Sequence, residues 1–518
     1  MAEAQTWWRR PELRDDQRRS VGWLELFFDL VFVVVVSRLA HYLAGHLTPR
    51  VVLEFTIQFA GVFWIWNAFT YYTERFESGG LEDRFFTFLA LLPVAGLAVF
   101  AEGGLAEHHD EFAIAYLCAR AVNMIGWVRA ARNVEAFRPV AKRFLIGFIV
   151  PALLIVISME SGPDERLWLW GIAVLIDVLT PSLTMRQQAK LPPISMDRFP
   201  ERFGLFTLIV LGESLVGVIG ALSVLSDNDG LRRSTWLTAP FGLAIGFGLW
   251  WLYFDFVARR PPRQQVTNVL VWVYLHLLAV TMIAVTGAGI SLAIVDDATG
   301  ALDLGSQRLV ATGVGGTLIA VALLETTLIR RRDEPTHPLM SPFLKIATGA
   351  LALLAGWAAE QWSTTSLFVL LLTSIVIPCA YGALVWYAPA ARPGAGRSAI
   401  DDPDILANAS VDGPPPSAPP PIPERKIPAS TEPVEVLPLP PGELPLPPAD
   451  EPVKAEDEPT PSVEDDEPST EGEAPADEST GDDPTAPGTE TVTTAERTSV
   501  KVESPPPAAP KRMRSRRK

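Results

Sequence analysis

Two carboxylates lie close together at the start of a long apolar segment. Glu25 and Asp29 belong to "ELFFDLVF", which opens the run "WLELFFDLVFVVVVSRLAHYLA". Residues four apart in a helix differ by about 40° around its axis, so both acids would share one face. Neighbouring carboxylates cannot both ionise easily, so the pair could hold a proton or a cation. The structural alternative is an anchor, with Glu25 capping the first turn and Asp29 bonding to another helix.

Two opposite charges lie deeper in the apolar segments. Arg38 follows Glu25 by 13 residues, and Glu213 lies in "VLGESLVG". Each charge costs about 2.5–3.5 kcal/mol at a helix centre, so we expect the two to neutralise each other near the membrane midplane. Asp255 in "WWLYFDF" and His276 in "VYLHLLAV" complete the predicted substrate- or ion-binding set. His276 could relay protons or serve as a hydrogen-bonded packing residue.

A second polar region is predicted near "LIDVLTP", where Asp177 precedes Pro181. Proline breaks the hydrogen-bond ladder of a helix, so this segment is expected to open a polar pocket. Arg120 is the predicted partner for one of the buried acids. We expect Glu325 to be buried as well.

The elements that would position these residues are long apolar runs. A helix needs about 20 apolar residues to cross the hydrocarbon layer. The sequence predicts twelve such spans, at about 24–45, 51–71, 85–101, 111–131, 141–158, 167–184, 202–225, 235–257, 266–290, 309–329, 342–359 and 365–388. The fold class is therefore an all-α polytopic membrane protein. Glycine patterns at 242–246 and 313–316 are typical of close helix packing.

The distribution of Lys and Arg predicts the orientation. With a cytoplasmic N-terminus, the inside segments hold 23 of these cations and the outside segments hold five. Cations in short loops favour the cytoplasm. We therefore predict a multi-pass protein of the cell membrane with both termini cytoplasmic.

The two halves of the span region echo each other. "ELFFDLVFVVVVSR" begins span one and "ERFGLFTLIVLGES" begins span seven. Six spans per half imply a parallel duplication about an axis along the membrane normal. The predicted organisation is a cytoplasmic segment at 1–22, six-helix repeats at 23–190 and 191–388, and a tail at 389–518.

The tail differs in composition from the rest of the chain. It holds 29 of the 46 prolines, and its 26 acidic and 13 basic residues account for −13 of the net charge of −16. Such a segment cannot bury enough apolar surface to fold, so we predict disorder. Its basic end, "KRMRSRRK", could contact anionic lipid or protein. Nothing in this charge distribution indicates a nucleic-acid partner.

The quoted motifs, with "WWLYFDF" and "YLHLLA", resemble the bacterial low temperature requirement protein A family over about residues 20–388. The resemblance implies a polytopic membrane protein and no particular reaction. Family members often carry a His three residues before the mid-chain Glu, whereas this chain has Arg198 there.

The sequence favours transport over catalysis. It contains no nucleotide-binding, metalloprotease or serine-hydrolase motif in a workable context, so we predict no enzymatic activity, cofactor or metal. The leading hypothesis is a transporter-like protein that moves a small solute or ion through a site between the two six-helix halves. A cation channel and a non-transporting scaffold or sensor remain as alternatives.

Overall fold

The computed structural model describes residues 10–13, 22–77, 81–192, 194, 198–227, 235–330, 334–358 and 361–387. Helices dominate these ranges: α1 (Trp23–Gly45), α2 (Pro49–Arg75), α3 (Leu81–Phe100), α4 (His109–Asn133), α5 (Arg138–Met159), α6 (Pro163–Leu179), α7 (Met185–Gln188), α8 (Arg198–Asp227), α9 (Thr235–Tyr253), α10 (Val266–Thr299), α11 (Leu304–Thr327), α12 (Met340–Gly356) and α13 (Thr364–Tyr387). The predicted all-α class is confirmed. The predicted disordered tail lies outside the described residues.

Nine helices within the described ranges are long and apolar enough to cross a membrane, which makes the chain a multi-pass membrane protein. They are α2, α3, α5, α6 with its extension to Gln188, α8, α9, α10, α11 and α13. Of the other long helices, α1 and α4 carry several charged side chains and α12 has 17 residues. The crossing of all twelve long helices stays a prediction.

Helix boundaries follow from local sequence signals. Thr48 precedes Pro49 and its Oγ1 accepts a hydrogen bond from the Val51 N–H at 3.2 Å, which caps the start of α2. Asp303 caps α11 in the same way through the Gly305 N–H at 2.7 Å. Helix α10 ends at Thr299, and the capping residue Gly300 that follows has a φ of 116°, a conformation that glycine adopts without steric cost.

Helices α10 and α11 form the most enclosed part of the bundle. In each of them 72% of an apolar 18-residue stretch is buried, against 22% in α3 and in α5. Small residues permit their close approach. A Cβ at Gly313 would lie 2.5 Å from the backbone nitrogen of Thr286, and one at Gly289 would lie 2.7 Å from the Val310 Cα. The packing role predicted for the glycine patterns is confirmed, since Gly242 also lies against Ile290.

The contacts within α1–α6 recur among α8–α13. The contacting pairs of the first group are α1–α2, α1–α3, α2–α4, α2–α6, α3–α4, α4–α5 and α5–α6. Shifted by seven in helix number, each pair has a contacting counterpart: α8–α9, α8–α10, α9–α11, α9–α13, α10–α11, α11–α12 and α12–α13.

The two groups meet where α1 and α2 pack against α8 and α10. A pair of two-residue strands, β1 (Glu12–Leu13) and β2 (Phe76–Glu77), lies at the end of α2 and pairs antiparallel. Since α1 begins beside α8, the acids at the start of α1 lie at the junction of the two groups.

Candidate functional site

A buried ion pair joins α1 to α8. The Arg202 Nη2 lies 2.5 Å from the Asp29 Oδ1, and both side chains are 1% exposed. The Trp66 indole donates to the same carboxylate oxygen at 2.8 Å, and Arg202 also donates to the Thr73 hydroxyl at 3.0 Å. This pair therefore links α1, α2 and α8 through groups that are shielded from lipid.

A second ion pair lies one helical turn away. Arg198 donates to Glu25 and also lies 3.2 Å from the Glu74 carboxylate at the end of α2. Glu25 in turn accepts the Gly22 N–H at 3.1 Å, as expected for a residue that caps the first turn. The i, i+4 spacing of the acids on α1 thus matches the i, i+4 spacing of the arginines on α8.

The predicted Arg38–Glu213 pair is wrong. Arg38 donates to Glu102 at 3.0 Å, with side chains 55% and 45% exposed, whereas Glu213 is buried beside Ser37 and His41 of α1. One residue corresponds to a rotation of 100° around a helix, so Ser37 faces α8 and Arg38 points away from it. Buried ion pairs do lie between the two groups of helices, but they are formed by Glu25 with Arg198 and by Asp29 with Arg202.

Asp255 and His276 bond to residues other than the acids of α1 and their partners. Asp255 lies in a π-helical turn after α9, where it pairs with Arg259 at 2.8 Å and accepts from the Trp251 indole at 2.6 Å. His276 is fully buried, with its Nδ1 2.9 Å from the Trp272 carbonyl and its Nε2 3.0 Å from the Tyr253 hydroxyl. Of the six predicted site residues, the structure brings only Glu25 and Asp29 together.

A third buried ion pair connects α4 and α6. Arg120 donates to Asp177, and the Tyr116 hydroxyl donates to the other oxygen of that carboxylate at 3.1 Å. Helix α6 ends at Leu179, and the segment from Thr180 to Thr184 continues as a 3-10 turn. The predicted partner for Arg120 and the predicted break near Pro181 are both confirmed.

A cavity of about 760 Å³ opens beside this ion pair. It lies between α2, α4, α7, the turn that follows α6, and the N-terminal part of α10 up to Val273. Polar groups of Asn67, Arg75, Arg120, Asp177 and Gln188 line it, together with aromatic side chains. Sequence reasoning identified the polar break at its wall but missed the part contributed by α10 and by Arg75.

Another ionic cluster lies among α11, α12 and the segment after the π-helical turn that follows α9. Lys345 is fully buried and donates to Glu325 at 2.9 Å and to the Ser341 hydroxyl at 2.7 Å. Arg260 bridges Glu325 and Glu334, at 3.4 Å and 3.0 Å. The expected burial of Glu325 is confirmed. Over the described ranges, no group of three or more His, Cys, Asp or Glu side chains could hold a metal ion.

The helices and buried ion pairs define a multi-pass membrane protein with polar groups enclosed in its helical bundle. A family model for "Bacterial low temperature requirement A protein (LtrA)" matches residues 20–389, and the chain belongs to this family. It is also similar to an uncharacterized protein, RA0937, of Rhizobium meliloti (strain 1021). The identity is 23% over 341 residues, which cover 62% of this chain and 80% of that protein. No solved structure matches the chain.

Proposed function

We propose that this protein is transporter-like and moves a small solute or ion through a site between two six-helix halves. The observation that carries the proposal is the 760 Å³ cavity, whose walls come from α2, α4 and α6 of one half and α10 of the other. Ligand sites of membrane transporters lie at the interface between repeats, where irregular backbone borders a cavity. The 3-10 turn after α6 supplies such backbone.

The matching helix contacts support a duplicated architecture. The same seven neighbour relations occur in α1–α6 and in α8–α13, as expected for two copies of one six-helix unit. Relative movement of such units could expose a central site alternately to the two sides of the membrane. The pairs Glu25–Arg198 and Asp29–Arg202 connect the halves and would constrain that movement.

We propose that the cavity mouth faces the cytoplasm, in keeping with the orientation predicted from the sequence. Gln264, Gln265 and Arg186, which line the mouth, belong to segments where Lys and Arg are abundant. Ion pairs join the end of α4 to the start of α3 and the end of α11 to the start of α12. Such links fit neighbouring helices that alternate in direction. The distribution of Lys and Arg favours cytoplasmic termini at the cell membrane.

The ion pairs favour a transporter over a cation channel. A channel that selects cations through acidic side chains would need carboxylates that face a hydrated path, whereas Asp29 is 1% exposed and pairs with Arg202. Charge neutralisation in the bundle suits a protein that binds and releases a solute through changes of conformation.

Flux across reconstituted proteoliposomes tests the proposal. We expect solute uptake that saturates with concentration and that is lost in Ala68→Trp, because this indole would fill the cavity beside Asn67. Ile146→Trp is the matched control, since Ile146 is 62% exposed on the outer surface of α5. Ohmic current would indicate a channel instead. Uptake unchanged by Ala68→Trp would refute the proposed site.

A further inference from the structure

We propose that the cavity binds an anion, specifically a carboxylate or phosphate oxyanion attached to an apolar body. This inference rests on the proposed function, because it names the class of solute that the same site would take. The charged residues that line the cavity favour an anion. Arg75, Arg120 and Arg186 line it, whereas Asp177 is the acid among the lining residues that the structure describes. The lining therefore has an excess of two positive charges.

Arg75 is the strongest indication that the cavity takes an anion. It is 6% exposed, and its guanidinium donates to the Tyr71 hydroxyl at 3.2 Å and to the Pro192 carbonyl. Among the described side chains, no carboxylate lies within 4 Å of it. A buried guanidinium is costly unless a negative charge compensates it. An oxyanion next to Arg75 would supply that charge and accept the planar fork of donors.

Two further groups present unused hydrogen-bonding capacity at the same cavity. Arg120 is 6% exposed, and its Nε–H has no acceptor among the described residues, although its Nη2 donates to Asp177. The first turn of α10 lies at the mouth. The side chain of its N-cap residue Gln265 accepts from the Asn268 side-chain amide at 3.3 Å and from none of the backbone N–H groups there. Uncapped N–H groups at the start of a helix favour negative charge.

The remaining walls indicate that the anion carries an apolar body. Trp64 and Trp127 line the cavity with Phe144, and Val273 contributes from α10. Trp127 also packs against Phe144 with ring centroids 5.2 Å apart, which leaves a firm aromatic surface. An inorganic ion would leave this surface unused, whereas an aromatic or aliphatic acid would cover it. Both a free organic acid and an anionic lipid have this chemistry.

Direct binding to the intact protein in phosphatidylcholine nanodiscs tests the charge preference. The probes are benzoate and phenyl phosphate as anions, neutral benzamide and cationic benzylammonium, each titrated by calorimetry. We expect at least one of the two anions to bind at least tenfold more tightly than benzamide and benzylammonium. The inference would be overturned if benzamide or benzylammonium bound as tightly as the anions, or if neither anion bound. This test uses the wild-type protein alone.

Substitution of Arg75 tests the location. Arg75→Gln should weaken the affinity of the binding anion at least tenfold, whereas Arg75→Lys should retain part of it. Arg50→Gln is the control, since Arg50 lies at the start of α2 and pairs with Asp164 at 2.5 Å. Unchanged affinity in folded Arg75→Gln would contradict the assignment. If that variant does not fold, the wild-type probe series decides.

Lipid composition and flux separate the remaining possibilities. Competition when phosphatidylglycerol replaces phosphatidylcholine assigns the oxyanion to a lipid headgroup, and unchanged affinity assigns it to a soluble acid. Anion binding without uptake would remove the transport function and leave the anion site in place. Uptake of solutes with no preference for anions would remove the anion site and leave transport in place.

Discussion

The buried pair Asp29–Arg202 predicts strong energetic coupling between α1 and α8. Asp29→Leu leaves Arg202 buried without its carboxylate, and Arg202→Met leaves Asp29 with the Trp66 indole as a donor. Each single replacement should cost about 3–5 kcal/mol, because one charge is stranded. The double replacement strands neither charge. It loses the bonds to Trp66 and Thr73, each worth about 0.5–1.5 kcal/mol.

The coupling follows from these values. The single costs sum to about 6–10 kcal/mol and the double cost is about 1–3 kcal/mol, so the coupling free energy should be at least about 3 kcal/mol. Reversible unfolding of the four proteins in mixed detergent micelles measures it. The matched control is the pair Arg38–Glu102, whose side chains are 55% and 45% exposed. An exposed pair should couple by at most about 1 kcal/mol. Equal coupling in both cycles would refute the reasoning.

Three further predictions concern packing, charge burial and orientation. Gly313→Ala should destabilise by about 1–3 kcal/mol, because its Cβ would lie 2.5 Å from backbone of α10. Gly220→Ala, in open space on α8, should be neutral or stabilising by up to about 1 kcal/mol in the same micelle assay. Lys345→Met should cost about 1–3 kcal/mol, since Glu325 loses a donor at 2.9 Å and keeps Arg260. In a background without the two native cysteines, Ala106→Cys should react with a membrane-impermeant maleimide in intact cells, because the predicted orientation places residue 106 outside. Failure of the introduced cysteine to react would show that the orientation is the reverse.

Helical periodicity predicted which residues share a face but not which faces meet. The i, i+4 spacing of Glu25 and Asp29 was sufficient to place both on one side of α1. Their partners required the register between α1 and α8, which no local pattern contains. The matching spacing of Arg198 and Arg202 was a usable signal, because two acids and two bases at one interval can pair only in a common register.

Depth along a helix proved a weaker guide than direction around it. Arg38 and Glu213 were matched by depth, but Arg38 is one residue from Ser37 and therefore points elsewhere. The cavity was partly predictable, because Asp177 and Pro181 mark a break in a helix. The contribution of α10 was not, since only tertiary packing brings the segment around Val266 beside α2 and α4.

The ion pairs between α1 and α8 also set an order of assembly during synthesis. Glu25 and Asp29 are made 173 residues before Arg198 and Arg202. At about 5–20 residues per second, the ribosome needs roughly 9–35 s to add that length. Throughout this interval α1 carries Glu25 and Asp29 without the arginines that later pair with them, so its final packing can form only after α8 has been made. A nascent chain that stops before residue 198 therefore lacks the arginines that pair with Glu25 and Asp29.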